Sequence, residues 1–407
     1  MSSSKQRPTR RSALDTLLSD VGGVRTKLSG IVLAGSLVLA CTAAPTLTEP
    51  PPSPSASPSD APTAIPSPRP TLAAPGFPAQ PEGVAWPTEE WAEAELPVAV
   101  DRAAIDAATE LALNDGGENR VRAIVIVHGG AIVYERYSPN RTDGPDVVMP
   151  SYSVAKSVVS AFIGILVRDG LIDIAAPADV PEWHQEANDP RAEITVEHLL
   201  HMTSGLPWTD GLLTGSDTLK LAASGDMAAY AADIRLQHEP GTLFDYNSGS
   251  SVLLARIIGE IVSETPEDMR AFMDAELFDR IGMEPIQTLF DDTGTWAGWY
   301  SANTTARDFA KFGLLYARGG IWEGAQIVPA EWVLYSRTPS SASNEYGAHW
   351  WLDPLRPEVM YAVGVQGQVI TVDPAHDLVI VQLSTIGGEL PLLQTEAILD
   401  AFADAQL

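Results

Sequence analysis

Cysteine is almost absent from this chain of 407 residues, which contains a single one, Cys41. One cysteine excludes an intrachain disulfide and a cysteine-rich metal site. Basic residues are also scarce, with 25 Lys and Arg against 53 Asp and Glu and a formal net charge of −28. Because such a surface repels phosphate backbones, we predict no nucleic-acid partner and expect neutral or cationic substrates rather than polyanions.

Long apolar runs are lacking as well, and none reaches the roughly 20 residues that a membrane-spanning helix needs. The stretch Leu28–Ala40 has thirteen mainly apolar and small residues and follows six basic residues within Met1–Lys27. This order is typical of a secretory signal. We therefore predict a signal peptide over residues 1–40 and a folded domain over residues 84–407.

The single cysteine lies in Val38-Leu39-Ala40-Cys41, which resembles the processing box of bacterial lipoproteins, where the new terminal cysteine carries lipid. A buried free thiol is the other interpretation, but a signal core and a proline-rich segment flank this position. Thr42–Pro81 contains 13 prolines and predicts an extended tether, so we assign residues 41–83 to the lipidated cysteine and tether. The expected location is extracytoplasmic, anchored to the cell membrane by lipid.

Pro150–Gly170 predicts a buried helix, because hydroxyl residues open it and its body is apolar on nearly every face. Ser153 and Lys156 lie three residues apart near its start, so a hydroxyl and an amine share one face. Burying an unpaired ammonium is costly, so this lysine must be paired or neutral. A strip of small residues at helical spacing also lets another element approach the helix closely: Ser153, Ser157, Ser160 and Gly164.

The Ser-x-x-Lys pattern is short and also arises by chance. Ser2 and Lys5 fit it too, in a polar segment with no helix or core around it. Spacing and context alone therefore leave a catalytic and a purely structural role for Ser153 equally open.

Predicted strands lie near both ends of the globular region, and its middle is helical. We predict strands over Arg122–Val127, Ala131–Tyr137, Ala348–Leu352, Tyr361–Val363, Gln368–Val372 and Leu378–Leu383. We predict helices over Asp101–Leu113, Val196–His201, Leu219–Ala232, Ser251–Ser263, Pro266–Ile281, Ala306–Gly319 and Leu392–Ala403, with no convincing strand pattern from Leu171 to Ser340. The fold class is α+β, with a mainly antiparallel sheet built from both chain ends, flanking helices and a helical lobe from the middle.

Several stretches in order resemble the serine β-lactamase and penicillin-recognising enzyme superfamily, on its class C and D-alanyl-D-alanine carboxypeptidase side. The stretches are Ser153-Val154-Ala155-Lys156, Ile194 to Leu206, Pro240 to Ser248, Leu277-Phe278 to Gly282-Met283, Asp308 to Gly313 and Gly364-Val365-Gln366-Gly367-Gln368. The resemblance spans about Val84–Leu407. The resemblance implies a β-lactamase/transpeptidase-like fold and catalysis without a metal or organic cofactor.

The resemblance also implies roles for particular residues. Ser153 would attack a carbonyl and form an acyl-enzyme, with Lys156 and Tyr246 sharing its proton. An adjacent ammonium would lower the pKa of the phenol from about 10, and which of the two groups is the base stays open. The oxyanion would meet the backbone N–H groups of Ser153 and of Gln368, which follows Gly367.

Two departures from the superfamily's motifs bear on the substrate. Tyr246-Asn247-Ser248 has Ser248 where penicillin-hydrolysing members have an asparagine, and Val365-Gln366-Gly367 lacks a cation for a substrate carboxylate. We therefore expect inefficient penicillin turnover and a closer similarity to the esterase and 6-aminohexanoate-dimer hydrolase branch, with Asn247 and Ser248 near the substrate. The alternatives are a D-alanyl-D-alanine carboxypeptidase or β-lactamase, and a non-catalytic surface receptor for acyl ligands. The sequence does not indicate an oligomeric state.

Other candidate residues have structural interpretations. His198 and His201 share a helix face without an evident third ligand, so we predict no metal site there. Asp291-Asp292 and Trp296–Tyr300 are candidates for the cleft wall, although core packing is favoured for the aromatic residues. No Gly-x-Ser-x-Gly stretch is present, so an α/β-hydrolase triad has no visible nucleophile.

Overall fold

A six-stranded antiparallel sheet runs through the middle of the computed structural model, which describes residues 76–113, 121–139, 142–211, 213–385 and 390–403. The predicted signal peptide, Cys41 and most of the predicted tether lie outside the described residues. The strands are β1 Val121–His128, β2 Ala131–Tyr137, β5 Trp351–Leu352, β6 Met360–Gly364, β7 Gln368–Asp373 and β8 Leu378–Ser384. Their order in the sheet is β2-β1-β8-β7-β6-β5.

The predicted α+β fold is confirmed, since β1 and β2 from the amino-terminal side join the carboxy-terminal strands in one sheet. One strand is shorter than predicted. Ala348–Leu352 contributes only Trp351–Leu352, because His349 adopts a left-handed φ of 61° that interrupts an extended strand.

The elements follow the predicted segments, apart from the helix Ala330–Ser336, which lies outside every predicted helix, and two further exceptions. The helices are α1 Arg102–Leu113, α2 Val154–Arg168, α3 Val196–Leu200, α4 Asp217–Ala222, α5 Met227–Ala232, α6 Ser248–Val262, α7 Pro266–Met273, α8 Asp279–Ile281, α9 Ala306–Ala317, α10 Ala330–Ser336 and α11 Leu390–Phe402. A π-helical turn, Asp274–Phe278, joins α7 to α8. None of these described helices is both long enough and apolar enough to cross a bilayer.

The first exception is Leu219–Ala232, which forms two helices rather than one. The Asp226 side chain accepts a hydrogen bond from the Ala229 N–H and so caps α5 as a separate helix. The second is a small hairpin, β3 Ile321–Trp322 and β4 Ala325–Gln326, in the region predicted to lack strands. Its turn residues Glu323 and Gly324 both have positive φ, as a type I′ hairpin turn requires.

Both faces of the sheet are buried, which explains why β1 is apolar at consecutive positions. Ala123, Val125 and Val127 belong to the larger core cluster, which contains α2 and α9. Ile124 and Ile126 point to the opposite face, where they pack with residues of α1 and α11. The sheet thus lies between two helical layers, and α2 is fixed between the sheet and the helical lobe.

The packed region begins earlier than the predicted boundary at residue 84. Phe77 and Gln80 are buried, with 7% and 8% of their surface exposed. Arg318 Nε donates to Gln80 Oε1 at 3.1 Å, and the guanidinium of Arg337 lies 5.3 Å from the ring centre of Phe77. Residues 77–83, which we predicted to be tether, are therefore part of the folded domain.

Helix α2 is buried along most of its length, as predicted. Its small residues admit close neighbours: a Cβ added at Gly164 would lie 2.4 Å from the Trp332 ring of α10. Ser157 Oγ donates to the His349 backbone carbonyl at 2.8 Å. These contacts fix the helix whose first turn carries Ser153 and Lys156.

Candidate active site

The first turn of α2 brings a hydroxyl and an amine together. Lys156 Nζ lies 3.1 Å from Ser153 Oγ, and the lysine side chain is almost fully buried. Ser153 occupies the N-cap position of the helix. The spacing of three residues therefore produces the contact that it predicted.

Lys156 has three close oxygen partners, none of them a carboxylate. Besides Ser153 Oγ, they are Ser248 Oγ at 3.2 Å and the Trp299 carbonyl at 3.1 Å. Burial lowers the pKa of Lys156 to about 7, and the charge of Asp210 opposes this shift. A neutral amine satisfies the geometry, because it donates to the carbonyl and to Ser248 and keeps a lone pair for the Ser153 proton.

Tyr246 is the third group at Ser153. Its hydroxyl lies close enough to Ser153 to affect the pKa of the phenol, and Lys156 Nζ lies 5.0 Å from the centre of its ring. The ring stacks on Trp351 at 5.4 Å. Burial raises the pKa of Tyr246, the interaction with Ser153 opposes this rise, and the charge of Asp210 adds to it. The expectation that an adjacent ammonium lowers this pKa is wrong. Burial has the largest effect on the phenol, and the nearby amine of Lys156 is readily deprotonated because its pKa is about 7.

Asn247 and Ser248 follow Tyr246 but have different surroundings. Ser248 contacts Lys156 and lines the cavity beside Ser153. Asn247 is 1% exposed and caps α6: its Oδ1 accepts from the Ser250 N–H, and its Nδ2 donates to the Leu206 carbonyl. Ser248 therefore lies at the site, whereas Asn247 stabilises the start of α6 and does not line the cavity.

The glycine beside the nucleophile is Gly364, at the end of β6. A Cβ added there would lie 2.6 Å from the Ser151 carbonyl oxygen and 3.2 Å from Ser153 N, so only glycine permits this approach. Val365, the next residue, lines the cavity. Gly364 and Val365 therefore occupy the place that we predicted for Gly367 and Gln368.

Gln368 lies at the start of β7 and is 1% exposed. Its side-chain amide donates to the carbonyls of Ser384 at 2.7 Å and Val365 at 3.3 Å. Gly367 has a φ of 81° and forms the turn between β6 and β7. Both residues shape the turn, and neither is among the described residues that line the cavity.

A cavity of about 140 Å³ opens over Ser153. It is lined by Tyr152, Ser153, Asp210, Gly211, Thr218, Tyr246, Ser248, Trp299, Tyr300 and Val365. Among these described lining residues, Asp210 is the only acidic one, and it accepts a hydrogen bond from Thr218 Oγ1 at 2.5 Å. A wider cleft of about 320 Å³ near Arg256 has neither lysine nor tyrosine in its described lining. We therefore place the candidate site at the smaller cavity.

The remaining candidates have structural contacts. His198 Nδ1 accepts the Thr195 N–H in the cap of α3, and His201 Nε2 lies 3.1 Å from the Tyr335 hydroxyl. Asp291 Oδ2 accepts the Met227 N–H at the start of α5.

The aromatic segment Trp296–Tyr300 serves both predicted purposes. Trp296 is 1% exposed and packs in the core, while Trp299 and Tyr300 line the cavity. Asp210 and Tyr152 were not found from sequence. Asp210 has no motif around it, and the position of Tyr152 directly before Ser153 was the only signal for it.

Comparison with known proteins identifies the family to which the chain belongs. Residues 112–405 match the family model described as Beta-lactamase. The 6-aminohexanoate-dimer hydrolase of Paenarthrobacter ureafaciens is 25% identical over 291 residues, covering 65% of this chain and 72% of that protein.

Two solved structures share the fold. A putative 6-aminohexanoate-dimer hydrolase from Bacillus anthracis has a TM-score of 0.61 and 22% identity, covering 82% of this chain and 90% of the other. A family VIII carboxylesterase has a TM-score of 0.58 and 15% identity, covering 76% of this chain and 99% of the other. The chain belongs to the β-lactamase family, whose members are serine hydrolases.

Proposed function

We propose that this member of the β-lactamase family cleaves small esters or amides through an acyl-Ser153 intermediate. The observation that carries the proposal is the 3.1 Å contact between Ser153 Oγ and the buried amine of Lys156, whose described partners include no carboxylate. A serine hydroxyl is a weak nucleophile until a base takes its proton. An amine with a pKa of about 7 is well suited to that task near neutral pH.

In the proposed reaction, Lys156 accepts the Ser153 proton as Oγ attacks the substrate carbonyl carbon. The tetrahedral intermediate then collapses, the bond to the leaving group breaks, and the proton from Lys156 passes to that group. The Tyr246 hydroxyl, which lies beside Ser153, relays this proton while remaining a neutral phenol on average. Water then attacks the acyl-serine with Lys156 again as base, which releases the acid and restores Ser153.

The negative charge of the intermediate needs two fixed donors. The backbone N–H groups of Ser153 and Val365 fit this role, because Gly364 brings the end of β6 to within contact of Ser153 N. Val365 also lines the same cavity as the nucleophile. This assignment replaces the earlier one to Gln368.

The cavity favours a substrate with an apolar acyl part and a neutral or cationic group. Its described walls include the aromatic residues Trp299 and Tyr300, and Asp210 supplies a negative charge. The names of the relatives agree with amide and ester cleavage. A substrate amine placed beside Asp210 would form a charge-assisted hydrogen bond in a largely enclosed site.

Asp210→Asn tests this substrate preference, because the amide can still accept from Thr218 but carries no charge. We expect KM for p-nitrophenyl 6-aminohexanoate to rise about tenfold, since a hydrogen bond to a charged group contributes about 1.5–3 kcal/mol. KM for p-nitrophenyl butyrate should stay the same. Equal changes for both esters would show that Asp210 does not recognise the amine.

The proposed function is tested by trapping the intermediate in the full-length protein. The wild type is mixed with p-nitrophenyl butyrate, quenched in acid and measured by intact mass and peptide mapping. We expect turnover and a butyryl adduct on the peptide that contains Ser153. An inert protein without an adduct would refute the proposal, and rapid release of a bound fluorescent penicillin would instead favour a β-lactamase.

We also propose that the chain is lipid-anchored at Cys41 and extracytoplasmic, supported by the apolar stretch and processing box in the sequence. Cys41→Ser in the native host should move the protein from the membrane fraction to the soluble fraction. An unchanged distribution, measured by immunoblotting, would contradict lipidation at this residue.

A further inference from the structure

Two residues with left-handed backbones flank the proposed oxyanion donors. Tyr152, with φ of 44°, directly precedes Ser153, and Gln366, with φ of 64°, directly follows Val365. Residues other than glycine, asparagine and aspartate rarely adopt this conformation, which costs about 1–2 kcal/mol per residue. Two such residues at one site require that the surrounding contacts hold them.

A direct hydrogen bond joins these two residues. The Tyr152 hydroxyl donates to Gln366 Oε1 at 3.1 Å, although the residues lie 214 positions apart in the chain. Tyr152 is also part of the cavity wall. The bond therefore connects the segment that carries Ser153 N with the turn that carries Val365 N.

Each segment is anchored on its other side. Ser151 N donates to Asn303 Oδ1 at 2.9 Å, and Ser151 Oγ donates to the Tyr300 carbonyl at 2.9 Å. On the turn, Ser384 Oγ donates to the Gln366 carbonyl at 2.5 Å. The two segments are thus anchored to different parts of the fold and touch at Gly364, and the Tyr152–Gln366 bond links them side chain to side chain beside that contact.

We propose that Tyr152 and Gln366 are positioning residues whose hydrogen bond sets the spacing between the Ser153 and Val365 N–H groups. The bond acts on the transition state, because an oxyanion needs both donors at hydrogen-bonding distance at once. It contributes little to substrate binding, since neither side-chain polar group needs to touch the ground-state carbonyl. This inference rests on the proposed function.

The test is a double-mutant cycle in the full-length protein. Tyr152→Phe removes the donor and keeps the ring, and Gln366→Met removes the acceptor at similar length. Because loss of a whole oxyanion donor costs about 10²–10³ in kcat, we expect each variant to lose about tenfold in kcat with KM for p-nitrophenyl butyrate unchanged. The double variant should lose no more than either single variant. Gln366→Glu retains an acceptor oxygen and should restore most of the lost kcat.

A second measurement separates positioning from general stability. Butylboronic acid forms a tetrahedral adduct with a catalytic serine, so its affinity should fall by the same factor as kcat, whereas the affinity for butyramide should not change. Tyr134→Phe is a matched control, because it removes a buried hydroxyl bond to Thr109 outside the cavity. Its kcat should equal that of the wild type, and thermal unfolding of each variant reports on folding.

The outcomes distinguish the two proposals. An inert wild type would overturn the proposed function and the positioning role with it. An active wild type in which the two losses multiply, or in which KM rises and kcat does not fall, would overturn the positioning role alone. A loss in Gln366→Glu equal to that in Gln366→Met would also do so.

Discussion

Ser153→Ala is expected to reduce kcat/KM for p-nitrophenyl butyrate by about 10³-fold or more and to abolish the acyl adduct. The substitution removes the only atom that can form the proposed covalent bond, while the backbone N–H of residue 153 remains. A serine hydrolase without its nucleophile keeps only the modest acceleration that binding and the oxyanion donors supply. The measurement is steady-state hydrolysis with intact-mass analysis of both proteins.

Ser160→Ala provides the control for this experiment. Ser160 lies two turns further along α2 and is fully buried, so the substitution changes the same helix by the same atom outside the cavity. It should keep wild-type turnover and adduct formation. If Ser153→Ala retained the adduct, a different residue would be the nucleophile and the proposed mechanism would be refuted.

Lys156→Met should lower kcat/KM by about 10³-fold and at the same time stabilise the fold. Methionine fills a similar volume but offers no proton acceptor, so Ser153 loses its base. The buried amine destabilises the native state whenever it is protonated in the unfolded chain, and methionine removes that cost. Opposite changes in activity and Tm would identify a functional residue that is kept at the expense of stability.

The pH dependence of kcat/KM and of the unfolding free energy provides a second test of the role of Lys156. Since Lys156 must be neutral to act as base, wild-type kcat/KM should rise with pH through about 7. The unfolded chain binds the lysine proton up to a pKa of about 10.4, and the folded chain releases it near 7. The unfolding free energy of the wild type relative to Lys156→Met should therefore rise between these values. A pH-independent difference would contradict the lowered pKa.

Asp210 is expected to affect the pH dependence of kcat/KM as well as the substrate preference. Its charge raises the pKa of Lys156 and so partly opposes the effect of burial. In Asp210→Asn the rising limb of kcat/KM should consequently move to lower pH.

Sequence reasoning found the groups that lie close together along the chain. Ser153 and Lys156 share one helix turn, so their contact follows from helical geometry. Tyr246 was found only through its motif, and the direction of its pKa shift depends on burial that the motif does not reveal. The other site residues, Asp210, Tyr152 and Val365, could be identified only from the folded structure.

The glycine that precedes the proposed oxyanion donor could not be chosen from the sequence. Gly364 and Gly367 both lie in Gly-Val-Gln-Gly, and either one fits a motif that ends in glycine. Only the contact of Gly364 with Ser151 and Ser153 identifies which glycine meets the nucleophile. The short β5 and the division between α4 and α5 likewise depend on local backbone choices at His349 and Asp226 that periodicity does not encode.

The position of β1 in the sheet has a consequence for biosynthesis. β1 pairs with β8 from Val121↔Ser384 to His128↔Leu378, so its partner leaves the ribosome about 250 residues later. Contacts so distant in sequence form slowly, and until then β1 exposes an unpaired apolar edge. A nascent chain that stops before β6 already contains Ser153, Lys156 and Tyr246 but lacks Val365. Synthesis of β6 to β8 therefore completes both the sheet and the proposed catalytic site.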